Sequence, residues 1–256
     1  MSEPEVQQVA GTAPEGAGLS QIERITNAFI APSKTFEDIG RGNKSWWLPF
    51  VLFVVVGTAL WATVNQKVGW NQIVENGLRV SPKQAEQLEK LPAEQRESQL
   101  KISAYIQEGI WGLGPVWVLL MNLIAAGVLL GTINFGFGGK ATYGKVLSVS
   151  WYAGLPGLIK LALGAVGLWA GLAPEGFMPG NPAGTNPGFY MTPPDVPPPL
   201  WAVYSALDII GIWTLVLFSI GLAKVAGTKP STGYIAVFGW WLLSLAVGVG
   251  FSAAFS

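Results

Sequence analysis

The sequence predicts an all-α, polytopic integral membrane protein: five transmembrane helices preceded by an N-terminal interfacial amphipathic helix. Three observations carry this expectation. Five long apolar runs, 45–66, 109–139, 146–172, 197–223 and 230–256, contain only two charged residues, Lys160 and Asp208. A bilayer's hydrocarbon core is about 30 Å thick and is crossed by about 20 helical residues, so each run is long enough. Half of the 256 residues are hydrophobic and 12% are charged, about half the charged share of soluble domains. Finally, a short amphipathic segment stands just before the first run.

Composition excludes several functions. Lys plus Arg and Asp plus Glu balance at 15 each, so there is no basic field for nucleic acid. With neither Cys nor His, disulfides, thiol nucleophiles, ordinary zinc sites and imidazole acid–base chemistry are ruled out. Phosphate-binding glycine loops and hydrolase triads are also missing. No catalytic residue, metal or cofactor is expected.

Taken in order, residues 1–19 are Glu-, Ala- and Gly-rich without an apolar core, which predicts a disordered tail rather than a cleaved signal peptide. Residues 20–44 open with a capping box, Ser20-Gln-Ile-Glu23, in which hydroxyl and carboxylate satisfy each other's backbone amides. The helix places Ile22, Ile25 and Phe29 on one face and stops at Pro32. A second turn, 35–39, presents Phe36 and Ile39. The pair is expected to lie on the membrane surface, with Arg24, Lys34, Arg41 and Lys44 near the headgroups. Trp46 and Trp47 extend this interfacial anchor into the first span, as aromatic belts do.

Residues 45–256 form the membrane domain. A polar loop at 66–109 carries six basic and six acidic residues and its own helix signals, including a capping box at Ser81 with Pro82 at the first helical position. A helix starting at Pro92 feeds into the second span, 110–135, with a bend at Gly112-Leu-Gly-Pro115. Asn122 and Asn134 are expected to hydrogen-bond between helices. Gly127/Gly131 and Gly167/Gly171 are small-xxx-small patterns that permit close helix contact. The third span covers 143–172, and a Pro/Gly-rich loop at 172–199 should be extended. Spans four (200–223) and five (232–255) complete the bundle. Excess Lys and Arg in the N-terminal segment and in the second and fourth connections predict a cytoplasmic N-terminus and an outside C-terminus, in a bacterial inner membrane.

Lys160 and Asp208 are costly inside a bilayer unless paired, by at least about 2.5 to 3.5 kcal/mol each. Counted at 1.5 Å per residue from the Pro-rich loop, Asp208 lies roughly 12 Å deep and Lys160 roughly 18 Å, within reach of a lysine side chain. They are expected to form an intramembrane ion pair, serving either as a packing bridge or as a gate or coupling-ion site.

The order of segments resembles a known family. Phe29-Ile-Ala-Pro32-Ser-Lys-Thr35-Phe36-Glu-Asp-Ile39, then Trp47-Leu-Pro49 entering a span, is similar to the start of bacterial members of the Yip domain family. Tyr152-Ala-Gly-Leu-Pro156 resembles that family's Tyr-to-Pro element, and 207–222 its fourth-span stretch. The resemblance implies a five-span, non-enzymatic membrane module related to Rab-GTPase-interacting trafficking factors. The chain lacks the Asp-Leu-Tyr-Gly-Pro element of the eukaryotic members, so Rab-type GTPase binding is not carried over. The expected partners are the lipid bilayer and other membrane proteins, in a role organising membrane or partner proteins. The alternative is a small-solute or ion transporter using Lys160 and Asp208.

Overall fold

A computed structural model describes residues 18–191 and 196–255, which excludes most of the predicted 1–19 tail. Its helices are α1 (Gln21–Ile30), α2 (Pro32–Arg41), α3 (Trp47–Lys67), α4 (Trp70–Arg79), α5 (Pro82–Glu89), α6 (Ala93–Gly112) and α7 (Gly114–Gly131). They continue with α8 (Tyr143–Ala153), α9 (Pro156–Trp169), α10 (Pro198–Ala206), α11 (Ile209–Ala226) and α12 (Pro230–Phe255). Five stretches are long and apolar enough to cross a membrane: Trp47–Lys67, Gly114–Gly136, Tyr143–Trp169, Ile209–Ala226 and Pro230–Ala254.

These spans have unequal environments. In the third and fourth, 56% and 44% of the apolar window is buried by protein, against 11% to 22% in the other three. The α8–α9 column and α11 therefore form the centre, and α3, α7 and α12 surround them. Ile124, Val128, Leu243, Val247 and Phe251 are exposed. Such wide apolar faces are compatible with lipid, since no water contacts them there. The bundle centre is aromatic. Trp151 stacks on Trp46 at 5.7 Å and meets Phe50 and Phe53 edge-on.

Two spans are broken where the sequence reading had continuous helices. The third breaks between Ala153 and Pro156, because proline at a helix start has no amide to donate to the preceding turn. The fourth breaks at Leu207–Asp208, where the Asp208 carboxylate caps the new helix by accepting from the Gly211 amide at 2.8 Å. Competition between a short acidic side chain and the backbone explains that break.

The N-terminal pair differs from the expectation at Arg24. The Ser20–Glu23 capping box forms, and Pro32 both ends α1 and starts α2. The two helices pack one face against the bundle. Phe36 and Ile39 are wholly buried against the core, and Arg24 is 2% exposed instead of reaching headgroups. The polar face of α1 carries a charge that finds a buried partner, which helical periodicity cannot reveal. Ile22 and Trp47 remain exposed, while Ile25, Phe29 and Trp46 pack partly into the core.

The close helix contacts also fall on other glycines than expected. A Cβ on Gly131 or Gly171 would meet nothing within 4 Å, and on Gly127 or Gly167 only ordinary contacts. On Gly233 it would lie 2.1 Å from the Ser219 carbonyl oxygen, where α12 crosses α11. Asn122 bonds back to Val118 of its own helix, and Asn134 braces the turn at Ala141 from both sides of its amide. Neither bridges two spans. Ser81 precedes α5 without a side-chain cap.

The 66–109 segment folds as a helical cap. Asn76 donates to the carbonyls of Pro174 and Phe177, and Arg79 to that of Glu175. Four of its other charges form two exposed i, i+4 ion pairs, Lys90–Glu86 and Lys101–Glu97.

Candidate functional site

Two buried polar clusters draw together four of the site residues singled out in the sequence: Lys160 and Asp208 in one, Thr35 and Tyr152 in the other. The first lies where the break in the fourth span meets α9 and the Pro/Gly-rich loop. Lys160 Nζ is 2.9 Å from Asp208 Oδ2, and the same oxygen accepts from Thr185 Oγ1 at 2.5 Å and Asn186 Nδ2 at 3.1 Å. Asn186 and Asn181 exchange amide hydrogen bonds, and Asn186 Oδ1 also accepts from the Phe189 amide. The Asp208 side chain is 6% exposed and the Lys160 side chain 22%.

The position of this pair differs from the helix count. Asp208 is not inside a helix but stands at the head of α11, whose 18 residues extend about 27 Å. It therefore belongs to the loop-facing end of the bundle. All four groups on the carboxylate are hydrogen donors: an ammonium, a hydroxyl, a side-chain amide and a backbone amide. Such a shell stabilises the ionised carboxylate, whereas a bound cation needs oxygen acceptors around it. The arrangement pins the 181–189 loop to spans three and four.

The second cluster docks α1 and α2 onto the bundle. Arg24 Nε lies 3.5 Å from Asp38 Oδ2, and its Nη1 donates to the carbonyls of Asn43 and Ser45. The guanidinium lies 5.1 Å from the centre of the Tyr152 ring, a cation–π contact. Asp38 also accepts from the Leu19 amide and from Asn43 Nδ2. These bonds from Nη1 and to Asp38 offset part of the desolvation of the buried ion pair, while Arg24 Nε keeps only its 3.5 Å contact with Asp38.

The segments carrying the family resemblance converge here. Thr35 Oγ1 donates to the Arg24 carbonyl, tying α2 back onto α1. Phe29 packs edge-on against Trp213 with centroids 5.7 Å apart. The Tyr152 hydroxyl donates to Gln21 Oε1 at 2.5 Å, and Pro156 opens α9 four residues later. Thr185, Asn186, Asn181 and Asp38 were not singled out as site residues from sequence. The only available signal was that Asn and Asp in tight turns often bond local backbone, which does not name a distant partner.

Five membrane-length apolar helices around two buried polar clusters define a multi-pass α-helical integral membrane protein. A family model described as the Yip1 domain matches residues 26–251, nearly the whole chain from α1 to α12. The chain belongs to the Yip1 domain family. Comparison with curated proteins gives no match, and neither does comparison with solved structures.

Proposed function

We propose that this protein is a non-enzymatic organiser of membrane or partner proteins, set in a bacterial inner membrane with its N-terminus cytoplasmic and its C-terminus outside. The observation carrying this reading is the donor shell of Asp208. A coupling-ion site must exchange its ligand, whereas this carboxylate is filled by four groups of the chain itself. The two asymmetric ends fit the same reading. Arg41, Lys44, Lys140, Lys145, Lys224 and Lys229 stand at the ends of α2, α8 and α11 or in the links beside them, in accord with a cytoplasmic face.

A surface for partners is available on α6. Ile102, Tyr105 and Ile106 are 56%, 75% and 55% exposed at helical spacing i, i+3, i+4. Ile106 precedes Gly114, the start of the second span, by eight residues, or about 12 Å of helix. This stripe continues the lipid-facing side of α7 beyond the length a bilayer requires, which favours a neighbouring membrane protein.

Purification of the tagged full-length chain in mild detergent tests the proposal. A stoichiometric membrane-protein partner is expected, with its recovery reduced in an Ile102→Asn, Ile106→Asn variant. Solute uptake by proteoliposomes that disappears in Asp208→Asn, in protein that remains folded, would establish the transporter alternative instead.

A further inference from the structure

At the end of the bundle opposite Asp208, a groove of about 540 Å³ runs between the ends of α2 and α11 and the link into α8. Arg41, Lys140 and Lys224 line it, and Glu37 is the single acid among the lining residues. Glu37 is already engaged by Lys224 Nζ at 2.7 Å. Among the described residues neither Arg41 nor Lys140 has a carboxylate within 4.0 Å. Both are exposed.

The backbone keeps this groove open. Gly138 and Gly227 adopt φ values of 70° and 67°, the left-handed region that favours glycine. Neither position has another heavy atom within 4 Å of where a Cβ would stand. The Lys140 amide bonds to the Ala226 carbonyl at 3.0 Å, so the two glycine turns are tied together as one wall. The C-termini of α2 and α11 each contribute about half a negative charge, less than the three cations supply even after Glu37 is counted. The groove is net positive.

We propose that this groove binds the phosphate headgroup of an anionic phospholipid. Arg41 offers a planar fork for phosphate oxygens, and Lys140 offers a second, mobile ammonium. A lipid source is favoured over free phosphate by what stands beside the groove. Phe135 and Phe137, which are 93% and 40% exposed, stand three residues and one residue before Gly138, at the end of the apolar second span. Acyl chains covering those rings place their own headgroup at the level of Lys140. Lys224 stays with Glu37 and limits the groove's inner side.

The test uses the purified full-length chain in neutral detergent, titrated with phosphatidylglycerol or phosphatidylcholine while thermal unfolding is followed. Phosphatidylglycerol is expected to raise the unfolding temperature, and phosphatidylcholine is not. Arg41→Gln and Lys140→Gln should each weaken the apparent affinity about fivefold, the effect of one cation near an anionic surface. Both side chains are exposed, so the variants should fold. Equal stabilisation by both lipids, or an unchanged response in the double variant, overturns the proposal. So does an equal loss in Lys229→Gln, which lies outside the groove lining and would report diffuse attraction. A shift of the same size with inorganic phosphate alone overturns the lipid assignment.

Discussion

The Phe36 ring closes directly over Gly221. A Cβ on that glycine would lie 2.9 Å from two ring carbons and 2.5 Å from Val149 Cγ1, so α2, α8 and α11 meet where one side chain is missing. Gly221→Ala is expected to lower stability by about 1–3 kcal/mol through overpacking. Gly131→Ala has open space and should be neutral or stabilising by up to about 1 kcal/mol. Thermal unfolding of both variants in detergent separates packing from helix propensity, and equal effects would contradict it.

Asp208→Asn keeps a capping oxygen for α11 but leaves Lys160 without its counter-charge. Removing one partner of a buried pair costs about 3–5 kcal/mol, and the partial exposure of Lys160 reduces this to roughly 1–3 kcal/mol. Thr185→Val should cost about 1–2 kcal/mol by deleting a hydrogen bond to a charged acceptor. Both variants should speed proteolysis within 172–199 before global unfolding. Unaltered cleavage would mean that this cluster does not hold the loop.

Tyr152→Phe and Tyr152→Ala should diverge. The first loses only the bond to Gln21, worth about 0.5–1.5 kcal/mol. The second also removes a fully buried ring beside Arg24, for about 3–5 kcal/mol. Denaturation midpoints in matched detergent would measure the gap.

The hydrogen bond and charge of Lys224 hold the Glu37 carboxyl below its ordinary value of 4.5. A lowered folded-state value means that this contribution is present above 4.5 and disappears as pH falls through the folded value. Both side chains are well exposed, so the effect is small and screened by salt. The stability difference between wild type and Glu37→Gln, seen at neutral pH in low salt, should vanish well below pH 4.5. A difference that grows on acidification would contradict the assignment.

Because the chain has no cysteine, single-cysteine variants report topology without background. In intact cells a membrane-impermeant thiol reagent should label Ser98→Cys and spare Lys229→Cys, following the proposed orientation. The reverse pattern would invert it.

Local chemistry alone determined the five spans, the capped start of α1 and the bend before Pro115. Helix formation and apolar transfer depend on neighbouring residues within a few turns. The proximity of Lys160 and Asp208 was also readable, since an isolated charge in an apolar run demands a partner. Only the tertiary structure decided what else holds Asp208: its Oδ1 caps α11 locally, but Oδ2 is held by Thr185 and Asn186 some twenty residues earlier. It likewise placed Arg24 inside the bundle: an amphipathic pattern shows which face is polar, but not that Asp38 and Tyr152 wait there. The same holds for Gly221 and Gly233, two of 33 glycines, whose importance comes from a crossing chain and not from their own sequence neighbours.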